Sequence, residues 1–393
     1  MSTKLSVPHN WQNDLIDNLD MSCVEEFYGK LDSDVLGGGR PSNTCAPVSR
    51  KTIAREIRRI HALGKKFNYL LNATCLDNRE LTRSMHARLS KLLDWLDRLE
   101  VDAVTVSLPY LFNYVRKNFP RFKINVSAMT QVSSVDEAKF WEDLGASRIT
   151  LCNVKVNRDL ALLAKIRGAV KCQLQVIVNN GCLCHCPFAI PHALVVSHAS
   201  QKGHLSGGFL IDYYRLMCSS MRLRQPVNFI RSDWIRPEDL VHYHKAGADY
   251  AKIVDRGMTT RALERIVKVY TLGYYKGNLM DLLPTPSKSI NFSKRSVFFI
   301  FKYFFRPHLV NIFKLLKMKE RIEEDTVYID NQKLDGFLVA LQRQECGSKD
   351  CKKCSWCNEI ADNAVKVDPI KAESALNALH GLLDDFESGT LFN

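Results

Sequence analysis

The chain has 393 residues, 46% of them apolar and 25% charged, with a formal net charge of +13 and 13 cysteines. That balance excludes a disordered or collagen-like chain and leaves room for one large domain with a smaller companion. The positive excess favours anionic partners such as RNA, acidic lipid or a polycarboxylate, without choosing among them.

The first ten residues carry no apolar leader or cleavage site, so the expected compartment is the cytoplasm. Thiols stay reduced there. Clustered cysteines therefore predict metal or redox chemistry rather than disulfides.

Taken in order, the chain alternates short apolar runs with helical periodicity. The first strand is read at 24–28, followed by the turn Gly37-Gly38-Gly39-Arg40-Pro41 and a helix over 50–63 carrying Ile53, Ile57, Ile60 and Leu63 at 3–4 spacing. The second strand, 67–71, leads past Cys75 into a helix over 83–99 with Leu89, Leu92, Leu93 and Leu96. Strands three to five are read at 103–107, 123–127 and 148–152, with helices over 110–118, 135–144 and 158–167. The sixth, 172–178, ends in Asn179-Asn180-Gly181-Cys182-Leu183-Cys184-His185-Cys186. The seventh is read at 227–231, before Ser232-Asp233-Trp234 and a helix ending at Ala246. The eighth, 250–254, leads into Asp255-Arg256 and a helix over 260–270.

Eight strand–helix units predict an α/β fold, a closed (β/α)8 TIM-like barrel, with a Cys-rich C-terminal extension. An open doubly wound sheet is the rival architecture. The expected domains are a barrel over 1–283, a basic Phe-rich linker over 284–320 and a Cys-cluster segment over 321–393. Residues 287–319 hold eight Lys or Arg and no acid. Phe298, Phe301, Phe305, Leu309, Ile312 and Leu316 fall at helical spacing, and Pro307 would kink a single helix. Charges interrupt the run too often for a membrane span. It reads as a surface for RNA, a protein partner or anionic lipid, or as a helix pair whose Phe face packs on the barrel.

Two thiol groups stand out. Cys346, Cys351, Cys354 and Cys357 are spaced C-x4-C-x2-C-x2-C, enough to wrap one tetrahedral zinc or one iron–sulfur cluster. Cys182, Cys184 and Cys186 share a face if the chain stays extended. If it turns after Gly181, Cys182 and Cys186 converge and further ligands must come from elsewhere. Cys218 and Cys75 are the best-placed, with Cys45 as a substitute. At the strand lips, Asp233, Asp255 and Lys252 are the candidate catalytic groups. Arg231, Arg236, Arg256 and His198 are the candidate substrate-binding groups, because guanidinium grips carboxylate or phosphate bidentately. A structural ring of salt bridges is the competing reading. His192 and His204 could bind metal or serve as hydrogen-bonding props. No G-x-S-x-G or H-E-x-x-H pattern occurs.

Asn179-Asn180-Gly181-Cys182, the later Cys218, and the run Asp249-Tyr250-Ala251-Lys252-Ile253-Val254-Asp255-Arg256 together resemble peptidase family U32, the collagenase-like group. The resemblance covers roughly residues 20–282. It implies a barrel-like domain with a 4Fe-4S cluster held by four cysteines. It also implies oxygen-independent hydroxylation of a ubiquinone precursor, transfer-RNA uridine or ribosomal-RNA cytidine, or a protease activity. Cys182, Cys186 and Cys218 match the family's cluster ligands. Lys252, Asp255 and Arg256 match its Lys-Ile-Glu-Gly-Arg signature, with Asp for Glu. The family's fourth cysteine lies in some members where this chain has Ser232-Asp233-Trp234, and in others near Cys45. Cys75 is taken as the fourth ligand on geometry alone. The tail cluster lies outside the family pattern and implies a second iron–sulfur or zinc centre.

The expectation is an iron–sulfur enzyme of the hydroxylase type acting on an anionic substrate such as RNA. A peptidase and a non-catalytic cluster-carrying partner are the alternatives.

Overall fold

The computed structural model describes residues 4–208, 210–285, 288, 311, 313, 326–344, 346, 351 and 353–393. Eight parallel strands close into a barrel: β1 (Leu5–Pro8), β2 (Val24–Gly29), β3 (Lys66–Leu71), β4 (Ala103–Val106), β5 (Lys123–Val126), β6 (Arg148–Thr150), β7 (Gln173–Ile177) and β8 (Tyr250–Lys252). Closure is made by β8 pairing with β1, Leu5 opposite Ala251 and Ser6 opposite Lys252. Outward-facing residues such as Phe27, Phe67, Val104, Ile149 and Val176 are buried beneath the helices, as expected of parallel strands covered on their outer face.

Two strand expectations are corrected. Residues 227–231 are not the seventh strand; Val227–Ile230 is a short helix. Pro226 holds helical dihedrals ahead of it, and Ser232 Oγ donates back to the Asn228 carbonyl at 2.8 Å. The missing strand is β1, where Ser6 turns inward to donate to Glu26 Oε1 at 2.7 Å. An inward Ser and a terminal Pro within four residues leave too little apolar signal to mark it. The Cys-bearing stretch therefore follows the seventh strand, not the sixth.

Between β7 and β8 lies an insertion with helices Ala189–His198 and Tyr213–Arg224. The C-terminal segment packs against it. Helix Pro369–Glu387 lies along Tyr213–Arg224, with Tyr213 on Phe386 at 5.6 Å between ring centroids and Arg224 Nε donating to His380 Nε2 at 2.9 Å. A two-stranded antiparallel sheet, β9 (Val327–Ile329) and β10 (Val365–Val367), joins that segment. Trp356 stacks on Phe337, which packs on Trp234 of the barrel. Among the described residues no helix is long and apolar enough to cross a membrane. The basic Phe-rich run over 287–319 lies outside the described residues apart from Lys288, Asn311 and Phe313.

Candidate functional site

TIM-type barrels usually fill their lumen with branched apolar side chains. This lumen is polar. Arg148 Nη1 donates to Glu26 Oε1 at 2.6 Å, and its guanidinium lies 3.5 Å from the centre of the Tyr250 ring. Thr105 Oγ1 donates to Asn68 Oδ1 at 2.9 Å, and Thr150 Oγ1 to Gln175 Oε1 at 2.9 Å. Gln175, 2% exposed, and Asn125, 3% exposed, each keep an amide nitrogen without a partner.

Above them sits Lys252, 8% exposed, its Nζ 4.1 Å from the Tyr28 ring centre. Among the described residues its ammonium makes no hydrogen bond or ion pair. Burial pushes its pKa down to about 8, with Glu26 pulling the other way and Arg148 and Arg256 adding to the depression. Arg256 is buried beside it and has no ion-pair partner among the described residues. The neighbouring charges are spent on one another. Lys30 pairs with Asp34 at 3.0 Å, and Arg40 pairs with Asp255. The mouth thus holds two uncompensated buried cations and two idle amide donors, a setting that favours an anion.

The thiols gather beside this mouth. After β7 the chain forms a one-rung antiparallel ladder with the stretch that follows the Val227–Ile230 helix: Leu183 faces Ser232, Asp233 N donates to the Cys182 carbonyl at 2.9 Å, and Cys184 N donates to the Arg231 carbonyl at 3.0 Å. His185 adopts a left-handed φ of 53°, and Cys186 N donates back to the Leu183 carbonyl at 3.1 Å. Gly181 lets Arg222 approach; a Cβ there would stand 3.2 Å from Arg222 Nη1. That nitrogen donates to the Gly181 carbonyl at 2.6 Å, while Nη2 donates to Cys218 Sγ at 3.7 Å. Cys182 and Cys186 both lie within the field of Cys218 and Asp233. Burial pushes both thiols up, and those neighbours push them further. Such thiols lose their protons readily only to a metal.

Asp233 is fully buried. Its Oδ2 accepts from Asn153 Nδ2 and from Asn180 Nδ2, the latter at 3.0 Å, and its Oδ1 has no partner. Burial raises its pKa, and the two amides counter part of the rise.

The other expected site residues are placed as follows. Cys184 lies within the field of Asp233 and also of Cys346 and Cys351, so it borders both thiol groups, and its pKa is pushed up to about 11 by burial. Arg231 Nη2 donates to the Cys351 carbonyl at 3.3 Å and its guanidinium reaches the Cys357 thiol, so it serves the tail cysteines. Cys357 lies in the first turn of helix Trp356–Ala364, within the field of Cys351 and Cys354. Arg236 is buried and donates to Asn331 Oδ1 at 2.9 Å, to the Leu334 carbonyl and to Asp335, clamping the C-terminal segment to the barrel. Cys75 Sγ accepts from Asp77 N at 3.3 Å, and the Cys75 carbonyl accepts from Gln201 Nε2 at 2.6 Å. His198 stacks on His204 at 4.8 Å on that same side, and His192 Nε2 is paired with Asp212 at 2.8 Å. Among the described residues no three His, Cys, Asp or Glu side chains close into a finished metal cage.

Sequence reasoning missed Lys30, Glu26, Arg148 and Arg222. Charged residues inside predicted strands, such as Glu26 and Arg148, were the available signal, because an inward charge in a barrel strand needs a functional or paired role.

A family model described as peptidase family U32 matches residues 30–188. An uncharacterized protease of Methanocaldococcus jannaschii is 30% identical over 334 residues, covering 85% of this chain and 87% of that protein. The tRNA hydroxylation protein P of Haemophilus influenzae is 30% identical over 127 residues, 32% of this chain and 25% of that protein. A solved U32 peptidase structure aligns at 20% identity with a TM-score of 0.47, over 64% of this chain and 92% of that one.

Proposed function

The chain belongs to peptidase family U32, and from that premise we propose that it is an iron–sulfur enzyme that modifies an anionic substrate by oxygen-independent hydroxylation, with RNA as the substrate class. The observation that carries this reading is that two features occupy neighbouring lips of one barrel mouth. One is the Cys182, Cys186 and Cys218 group, which follows β7. The other is the pair of buried cations Lys252 and Arg256 on the next strand's lip; Asn179 accepts from Val254 N across the two lips, and Arg215 lies within the field of both Cys218 and Asp255. The donor set is soft enough for a cluster: three half-buried thiols, those of Cys182 and Cys186 pushed up by burial, with Arg222 placed to offset thiolate charge. When bound, a 4Fe-4S cluster would supply one-electron and Lewis-acid chemistry at that mouth.

The chain's own residues divide the remaining work. Lys252 and Arg256 hold an anionic group over the lumen, and Gln175 Nε2 and Asn125 Nδ2 stand ready to donate to it. Arg40 fixes Asp255, whose Oδ1 also accepts from Gly257 N at 2.9 Å, so that lip stays ordered. RNA is favoured by the net charge of +13 and by the named activity of the tRNA hydroxylation proteins similar to a third of the chain.

The tail cysteines extend the proposal to a second metal centre, iron–sulfur or zinc. Cys184 and Arg231 of the barrel lie beside those cysteines, and Arg231 offsets part of the rise that burial imposes on the Cys357 thiol.

A peptidase is the rival reading. It requires an activated nucleophile, and burial moves the Cys182 and Cys184 thiols in the opposite direction.

The test is anaerobic purification with iron, sulfide and zinc quantitation, followed by nucleoside mass spectrometry of RNA from cells lacking the protein and from cells carrying Cys182→Ala. A brown protein and a hydroxylated nucleoside missing in both strains are expected. A colourless, iron-free protein after anaerobic reconstitution, or cleavage of peptides by metal-free protein, would overturn the reading.

A further inference from the structure

The positive charge of this chain is unevenly placed. Of the formal +13, the run over 287–319 accounts for eight and residues 50–123 for nine, the latter with sixteen Lys or Arg against seven Asp or Glu, so the remainder is net negative by four. Residues 50–123 build one flank of the barrel, from the helix after β2 to the start of β5. The surplus lies on the outside. Helix Arg50–Ala62 holds five Lys or Arg and a single acid, Glu56, which is 1% exposed. Glu56 is spent on Arg55 and Arg59, at 2.8 and 3.0 Å. Helix Arg83–Arg98 adds Arg83, Arg88, Lys91 and Arg98, all exposed.

The two helices lie side by side, with the Arg50 guanidinium of one 4.7 Å from the Trp95 ring centre of the other. On the first, Lys51 and Arg58 sit two turns apart on one stripe, about 10 Å along the axis. On the second, Arg83, Lys91 and Arg98 fall within about 80° of arc and span about 22 Å. Among the described residues the side chains of these five make no hydrogen bond or ion pair. Each helix follows the C-terminal end of its strand, so both start at the end of the barrel where Lys252 and Arg256 lie and run down its side. Unpaired cations in such a row raise a positive potential that a polyanion neutralises, releasing its counterions.

The chemistry of the face selects among polyanions. A helix lying on a membrane needs an apolar face to insert. Here Ile53, Ile57, Ile60, Leu89, Leu92 and Leu96 are all buried against the barrel, which leaves the outward stripes to charge. A free phosphate or mononucleotide would engage one or two of cations spread over about 20 Å, whereas a polynucleotide backbone engages the whole row.

We propose that this flank, formed by helices Arg50–Ala62 and Arg83–Arg98, is the docking surface for the phosphate backbone of the RNA whose reacting nucleotide enters the mouth. The inference rests on RNA as the substrate class in the reading above and adds where the body of that RNA lies. Backbone contacts carry no sequence information, so any structured RNA is held there.

The test uses the full-length protein and a fluorescein-labelled RNA hairpin, with Kd read by anisotropy across a series of KCl concentrations. The variant Lys51→Gln/Arg58→Gln/Arg83→Gln/Lys91→Gln removes four charges from the flank. It is expected to weaken binding at least about 100-fold at low salt and to lower the slope of log Kd against log salt by about three to four, roughly one for each lost phosphate contact. The matched variant Lys139→Gln/Lys165→Gln/Lys245→Gln/Lys268→Gln removes four exposed lysines from other helices. It is expected to change Kd by less than about threefold. Sulfate affinity for the mouth, read by calorimetry, is expected to stay unchanged in both variants. Equal losses of RNA binding in the two variants, or full retention in the first, would overturn the docking surface while leaving RNA as the substrate class. Co-sedimentation with phosphatidylglycerol vesicles that the first variant abolishes, with RNA binding intact, would assign the flank to a membrane instead. A wild type that binds no RNA even at low salt would overturn both the surface and the substrate class.

Discussion

The two cysteine-rich regions are near opposites in how they are built. The tail group is regular in sequence, four thiols within twelve residues, yet Cys346 and Cys351 are exposed. The mouth group is irregular, with Cys218 more than thirty residues from Cys182, yet its half-buried thiols are flanked by Arg222 and by Asp233, which Asn153 and Asn180 orient. Local spacing binds a metal by proximity along the chain. A scaffold binds it by fixing donors that are distant in sequence, and only a scaffold can also place substrate-binding cations alongside. The mouth is therefore the site of chemistry in this reading, and the tail is an accessory centre docked against it.

The largest expected effect tests whether the two are separate. Cys182→Ala removes essentially all iron from the mouth and leaves tail metal in place, and Cys354→Ala does the reverse. Metal analysis of both variants and the double mutant reads this. Loss of both metals in either single mutant would merge the regions into one centre.

The next effect concerns the joint between them. Arg236→Met deletes a buried guanidinium that satisfies Asn331, the Leu334 carbonyl and Asp335. It should cost about 3 kcal/mol of stability. Chemical denaturation gives the number, and limited proteolysis should find the C-terminal segment cleaved first.

Lys252→Met should lower kcat/KM for the RNA substrate by about 10–100-fold, the worth of one charge-assisted contact, while leaving both metal contents unchanged. A fall in mouth iron instead would make Lys252 part of the cluster's support.

A pH titration sharpens the same point. Lys252, with its pKa pushed down to about 8, is charged below that pH and neutral above it. Sulfate keeps constant charge across this range, so its affinity for the mouth should fall as pH rises from 7 to 9. An ordinary lysine would hold on beyond pH 10. Lys252→Met should flatten the profile, and calorimetry measures both.

The smallest effect lies at the outer face. Tyr213→Phe removes an exposed hydroxyl that donates to Glu387 Oε1 at 2.8 Å and should change stability by less than about 1 kcal/mol. The Tyr213–Phe386 ring contact remains. A larger loss would mean that polar contacts, rather than apolar ones, hold helix Pro369–Glu387 in place.

Much of this molecule was legible in the chain itself. Seven of the eight strands were visible as short apolar runs, because a parallel strand covered by helices is apolar on its outer face. The helix over residues 50–62 announced itself through Ile53, Ile57 and Ile60, all buried, after Ser49 as N-cap. The strand at Leu5–Pro8 was hidden because its inward residue is polar, and the helix at Val227–Ile230 imitated a strand because three β-favouring apolar residues, Val227, Phe229 and Ile230, crowd into one short stretch.

By itself the sequence determined the alternation that makes a barrel, the positions of both thiol groups and the lip residues Lys252, Asp255 and Arg256. Each of these is a local pattern, set by periodicity or by neighbours within a few residues. Only the tertiary structure decided what faces what. It set Cys184 between the two thiol groups, turned Arg231 toward the tail and sent Arg236 into the domain joint. It also left Lys252 without an ion-pair partner among the described residues and brought Asp233 beside Cys182. Those outcomes join residues separated by about fifty to about 160 positions, and chain closure over such distances is fixed by the packing of the whole barrel and its insertion rather than by any spacing in the sequence.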